Sequence, residues 1–221
     1  MRTRSILIAM AVCGRLGSVD NAFAADPPHF IVVPGIQDTA DTDLVNALWV
    51  GALGCPTAAK VAASGTFTDP ACLTGDPKDV DNQGLLLIKS GPTSNNALSG
   101  ETISGVQGAT LTELGYDIRD GSVCNAVAPR FDIFTSTGKY YKLGCAQLQP
   151  TTTPGTGWVR LRWKPAGGVK AVNVSSGNTE TVSDTISLIL IIFDQGQDKA
   201  PNSGIAILDN IDVNGGLVGR Q

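Results

Sequence analysis

The sequence predicts an all-β chain, a two-sheet antiparallel sandwich or a barrel, on three observations. From Thr66 onward, short runs rich in Val, Ile, Thr, Phe and Tyr are broken by Gly, Pro, Asn and Asp at intervals of about ten residues. Several of these runs alternate apolar and polar residues, the period of a strand with one buried face. The run Ile186–Phe193 is apolar throughout except at Ser187, so it is expected to be a central strand covered on both sides, and it is too short to span a bilayer.

In chain order, residues 1–24 read as a secretory signal. Arg2 and Arg4 precede the apolar run Ile6–Val12, and a polar stretch ends in Ala22-Phe23-Ala24, an A-x-A cleavage pattern. The alternative of a lipid anchor on Cys13 is disfavoured by Val12, where a small residue belongs. The remaining residues, 25–221, are expected to form one β-sandwich domain. Asp41 to Leu53 carries Leu44, Leu48 and Trp49 at helical spacing, and one short N-terminal helix is expected there. Strands are expected near 66–68, 84–90, 101–105, 110–119, 129–135, 139–144, 157–163, 169–174, 183–193 and 204–213. The clearest hairpin joins 129–135 to 139–144 through Ser136-Thr137-Gly138, with Phe131 and Ile133 on one face. In 157–163, Val159, Leu161 and Trp163 point one way and Trp158, Arg160 and Arg162 the other. Thr151–Gly157 contains only Thr, Pro and Gly and reads as a loop between sheets.

Loss of the leader removes Arg2, Arg4, Arg15 and Asp20, leaving 13 basic and 19 acidic residues, a net charge of −6 against −4 for the whole chain. Binding to nucleic acid needs a concentrated basic surface, so neither that partner nor membrane insertion is expected. Cys55, Cys72, Cys124 and Cys145 remain, an even number in an exported chain, which favours disulfides. Of three connectivities, 55–72 and 124–145 are chosen because each closes a short local loop, worth about 3 kcal/mol in the chain-entropy model. A zinc site would need clustered ligands such as C-x-x-C pairs, and the sequence has none.

At Gly84-Leu-Leu-Leu-Ile-Lys-Ser-Gly-Pro-Thr93, Leu114-Gly-Tyr-Asp-Ile-Arg119, Ala128-Pro-Arg-Phe-Asp132 and Leu208-Asp-Asn-Ile-Asp212 the chain resembles exported bacterial β-sandwich proteins of uncharacterised function. Its last strand, with Asp209-Asn210-Ile211, looks like the closing strand of jelly-roll carbohydrate-binding modules. That resemblance implies a jelly-roll sandwich of eight or more strands, often with a structural calcium. It transfers no catalytic residue.

His29 is the sole histidine and lies next to the expected cleavage point, which leaves Ser-His-Asp or Cys-His chemistry little to work with. A carboxylate-based hydrolase is the remaining catalytic reading, from many aspartates and the three glutamates Glu101, Glu113 and Glu180. Those acids suit calcium better, because hard cations take several loop oxygens. The candidate ligands are Asp194, Asp198 and Asp209, with Asp76, Asp79 and Asp81 as a second cluster. Sugar binding would use an aromatic ring as a flat apolar platform with polar neighbours gripping hydroxyls. Trp158, Arg160 and Arg162 supply these types, with Tyr140 and Lys142 expected on an adjacent strand. The competing reading is that Trp158 caps the core while the arginines pair with acids such as Asp117 or Asp132. The functional expectation is a secreted, non-catalytic binding module for an extracellular glycan. The alternative is a structural protein that contacts an extracellular protein through a sheet face.

Overall fold

The computed structural model describes residues 30–55, 82–93, 97–147, 149–155, 157–164, 168–194 and 203–218. They form fourteen strands. In chain order these are β1 (Ile31–Gln37), β2 (Val45–Val50), β3 (Gly84–Lys89), β4 (Leu98–Ser104), β5 (Leu114–Arg119), β6 (Arg130–Thr135), β7 (Tyr140–Gly144), β8 (Gln149–Gly155), β9 (Trp158–Trp163), β10 (Lys170–Asn173), β11 (Thr179–Thr181), β12 (Ile186–Phe193), β13 (Gly204–Val213) and β14 (Gly216–Val218). The expected leader, the expected strand at 66–68, His29, Cys72, Asp198 and the cluster Asp76, Asp79 and Asp81 lie outside the described residues. Among those residues no helix is long and apolar enough to cross a membrane.

Two antiparallel sheets face each other. Sheet A runs β1-β4-β12-β6-β7-β10-β11, and sheet B runs β2-β3-β13-β5-β9-β8 with β14 against β13. The central four strands of each, β4-β12-β6-β7 over β3-β13-β5-β9, have jelly-roll order. The first strand of this set, β3, pairs with the last, β13; the second, β4, pairs with the second to last, β12. Alternation builds the core, because every second residue of each strand points between the sheets. Leu85 and Leu87, Tyr116 and Ile118, Phe131 and Ile133, Ile189 and Ile191 meet there in one hydrophobic cluster fed by both sheets.

Two expected elements differ from the structure. Residues 41–53 do not form a helix, because Asp41 and Asp43 have φ of 53° and 55°, the left-handed region that interrupts a right-handed helix. The chain instead enters β2, where Ala47 and Trp49 pack on the core and the Trp49 indole N–H donates to the Val32 carbonyl of β1 at 3.3 Å. Of the Thr/Pro/Gly stretch read as a loop, residues 151–155 belong to the edge strand β8, which pairs with β9 through two register shifts. Edge strands tolerate proline because half their N–H groups need no ladder partner.

In β13 the register shifts between Asp209 and Asp212, a bulge with Asn210 at φ 45°. The extra residue keeps Leu208 and Ile211 both in the core, and it leaves Asp209 and Asp212 on the outer side of sheet B. Cys124 and Cys145 are joined by a disulfide that closes the open end of the β6–β7 hairpin. Cys55 is also disulfide-bonded, to a partner outside the described residues.

Candidate functional site

The outer face of sheet B carries Trp158, Arg160 and Arg162 on β9, as their alternation requires. This face is closed. Trp158 is 3% exposed and packs with Cys55 and Ile207. Asp117 of β5, fully buried, sits opposite Arg160 and takes its Nε and Nη2 at 2.8 Å each, a bidentate pair. It also receives Arg162 Nη2 at 3.3 Å and Asn210 Nδ2 at 2.9 Å. Arg162 in turn holds Asp212 at 2.9 Å through Nε. Burial lowers the Arg162 pKa, with Asp117 and Asp212 pulling the other way, and burial raises that of Asp212. Gly115 lets the two strands come this close, since a Cβ there would stand 2.7 Å from Arg162 Cδ.

Of the acids considered as calcium ligands, the two among the described residues, Asp194 and Asp209, accept from protein donors. Asp209 accepts the backbone N–H of Cys55 and of Asn210 at 2.6 Å each. Asp194, at the end of β12 on sheet A, accepts Arg130 Nη1 through both oxygens at 2.8 Å. A cation drawing on both would displace a buried guanidinium from one and a backbone N–H from the other. Among the described residues no group of three or more His, Cys, Asp or Glu side chains could hold a metal.

Tyr140 lies on β7 of sheet A, not on a strand beside β9, so the four residues considered for sugar binding are divided between two sheets. It belongs to a different surface, the outer face of sheet A. Cross-strand pairing aligns Leu190 of β12, Asp132 of β6, Lys142 of β7 and Val172 of β10 in one row. The next row holds Leu188, Phe134 and Tyr140. The Phe134 and Tyr140 rings stack in parallel with centroids 4.6 Å apart, and Lys142 Nζ lies 5.5 Å from the centre of the Tyr140 ring.

Asp132 is held from two sides, by Arg130 Nε at 2.8 Å on Oδ1 and by the Tyr140 hydroxyl at 2.7 Å on Oδ2. Each oxygen keeps acceptor capacity for a further donor. Burial and the bond to Asp132 push the Tyr140 phenol above its ordinary pKa, so it stays a donor. Burial opposes the charge of Arg130, but Asp132 and Asp194 outweigh it and hold its pKa above the usual value.

Asp132 borders an open groove of about 300 Å³ across β1, β4 and β12. Leu190 and Ile192 give it an apolar side, Thr102 and Asp132 a polar one, and Gly35 and Gly100 carry no side chain to fill it. Glu101 also borders the groove, but it shares the inward face of β4 with Ile103 and lies opposite the core residue Ile191. Its side chain is 3% exposed, neither oxygen has a hydrogen-bond partner, and burial raises its pKa to about 9. The groove therefore meets one outward carboxylate, Asp132, where glycoside hydrolysis needs two converging on the same bond. A larger cleft of about 590 Å³ lies between the edge strands β1 and β2. Its lining is aliphatic apart from Trp49, whose N–H is already bonded, so it has no side chain to grip a hydroxyl.

Alternation of the hairpin sequence contained part of this site. Phe131 and Ile133 inward leaves Asp132 and Phe134 outward, beside Tyr140 and Lys142. The groove residues Gly35 and Gly100 gave no signal, because β1 has no alternating pattern and glycine marks turns as readily as flat sheet.

No protein-family model and no curated protein matches the chain. Among solved structures it is similar to a family 11 carbohydrate-binding module from Clostridium thermocellum in complex with a β-1,3-1,4-mixed-linked tetrasaccharide. That likeness has 14% identity over 86% of this chain and 89% of the other, with a TM-score of 0.40. It is also similar to the family 11 module of a cellulosomal cellulase of the same organism, at 15% identity over 86% and 91% of the two chains and a TM-score of 0.37. Neither score is high enough to assign a common fold.

Proposed function

We propose that this chain is a secreted, non-catalytic glycan-binding module whose ligand lies in the groove on the outer face of sheet A. The observation that carries the reading is the meeting, in one open groove, of an apolar side with a carboxylate fixed from two sides. A pyranose presents the same division, with C–H groups on its ring faces and hydroxyls around its rim. Asp132, oriented by Arg130 and Tyr140, suits those hydroxyls as an acceptor that needs no reordering on binding. Secretion is supported by the leader-like first 24 residues and by the Cys124–Cys145 disulfide, a bond of oxidising compartments. A single outward carboxylate supports binding over hydrolysis.

Gly35 supplies the test. A Cβ built there meets nothing within 4 Å, so the position accepts a side chain, and Gly35→Trp is expected to occupy the groove. Affinity electrophoresis against a panel of soluble polysaccharides, run with calcium and again with chelator, is expected to show retardation of the parent chain. The variant is expected to lose it at an unchanged melting temperature. Retardation that survives Gly35→Trp would move the site off this face. If the folded parent is retarded by no polysaccharide, the exposed apolar residues Ile31, Val33 and Ile36 of β1 favour a protein-contact role instead.

A further inference from the structure

The charges on the outer face of sheet A are not evenly paired. Arg130 is shared by Asp132 and Asp194, each at 2.8 Å, a trio of net charge −1 that borders the groove. Lys142 and Lys170 are not neutralised, since neither forms an ion pair with any described residue. Lys142 stands opposite Val172 of β10, and Lys170, two residues earlier on β10, is exposed on the same outer face. The other exposed lysines among the described residues behave differently: Lys139 holds Asp184 at 2.9 Å and Lys164 holds Glu113 at 2.8 Å. Two ammonium groups with no ion pair to a described residue therefore share the face that carries Asp132, Phe134 and Tyr140.

Resting on the glycan reading above, we infer that the ligand is an anionic glycan whose carboxylate or sulfate groups pair with Lys142 and Lys170. The anion replaces the missing counter-charge, and a charge-assisted hydrogen bond from an ammonium is stronger than one between neutral groups. Lys142 is also the better placed of the two, because its contact with the Tyr140 ring fixes the stem beside the carboxylate-bordered end of the groove. Across the face Arg130, Lys142 and Lys170 exceed Asp132 and Asp194 by one positive charge on a chain of net charge −4, a bias that turns sheet A toward a polyanion.

Calorimetric titration with polygalacturonate, with its carboxyl-reduced counterpart, with a sulfated galactan and with a neutral β-glucan tests the inference. Preference for the first over the second identifies a carboxylate ligand, and preference for the sulfated polymer identifies a sulfate ligand. In either case the anionic polymer is expected to bind at least about tenfold more tightly than the uncharged one, with an affinity that falls as salt is raised. The double variant Lys142→Gln, Lys170→Gln is expected to erase that preference with no change in melting temperature. Equal binding of charged and uncharged polymers, or a preference that survives the double variant, overturns the inference and leaves the glycan reading standing. Absence of binding to every polymer by the folded chain overturns both.

Discussion

The two outer faces of this sandwich are built from the same kinds of side chain and come to opposite ends. Sheet B places Trp158, Arg160 and Arg162 in a row, and meets the two arginines with Asp117, Asp212 and the Asn210 carbonyl. Sheet A places Phe134, Tyr140, Arg130 and Lys142 in rows just as regular, but supplies acids only for Arg130. Aromatic and basic residues on a strand face do not by themselves mark a binding surface. What separates the two is the number of acids delivered from other strands, together with the residues that cover the face.

Removing Asp117 is the most severe way to break the comparison. Asp117→Ala leaves two guanidinium groups facing each other in a buried network, and it is expected to cost about 3–5 kcal/mol of unfolding free energy in urea titrations. A loss below about 1 kcal/mol would mean that sheet B's face is as open to water as sheet A's. Second in size is the clasp on the sheet A hairpin. Cys124→Ser with Cys145→Ser is expected to lower stability by about 3 kcal/mol from chain entropy alone. If the clasp also holds the site, polysaccharide affinity should fall by more than the unfolded fraction explains; an unchanged affinity would show that β6 and β7 keep their register without it.

The most gradual effect, spread over several pH units, concerns the core between the faces. The Glu101 carboxyl titrates near 9 in the folded chain and near its ordinary 4.5 when unfolded, through burial. Between those values the folded chain holds a proton that the unfolded chain releases. Its contribution to stability is thus full below the unfolded value, and it declines by about 1.4 kcal/mol per pH unit as pH rises toward the folded one, levelling beyond it. Unfolding titrations across this window are expected to show a flatter pH dependence for Glu101→Gln than for the parent. Identical slopes would place the carboxyl in contact with water or with a base.

Much of the architecture was legible because alternation is a local signal. The hairpin at Phe131 and Tyr141 and the two-faced strand 158–163 follow from residues two apart. The apolar run 186–193 is an interior strand as expected but is not covered on both sides, since Leu188 and Leu190 are half-buried and its outer face borders the open groove. The disulfide 124–145 followed from short loop closure. What could not be read is set by partners far along the chain. Arg160 meets Asp117 across 43 residues, the pairing that the competing reading of β9 named, but Cys55 meets Asp209 across 154, and no spacing rule points to that contact. The bulge at Asn210 was equally hidden, because it serves the outward placement of Asp209 and Asp212, which matters only once β5 and β9 lie beside it. The helix expected at 41–53 failed for a related reason. Leu44, Leu48 and Trp49 do fit a helical stripe, but Val45, Ala47 and Trp49 fit a strand equally well, and backbone conformation at Asp41 and Asp43 decided between them.

The Cys124–Cys145 bond also makes the site-bearing hairpin a closed ring of polypeptide. Its tip, Ser136 to Gly138, is exposed, the kind of place at which secreted proteases cut. A cut there opens the ring without dividing the molecule, because the two halves of the chain remain joined through sulfur. Phe134 and Tyr140 would stay on neighbouring strands of one covalent unit after the peptide between them was gone.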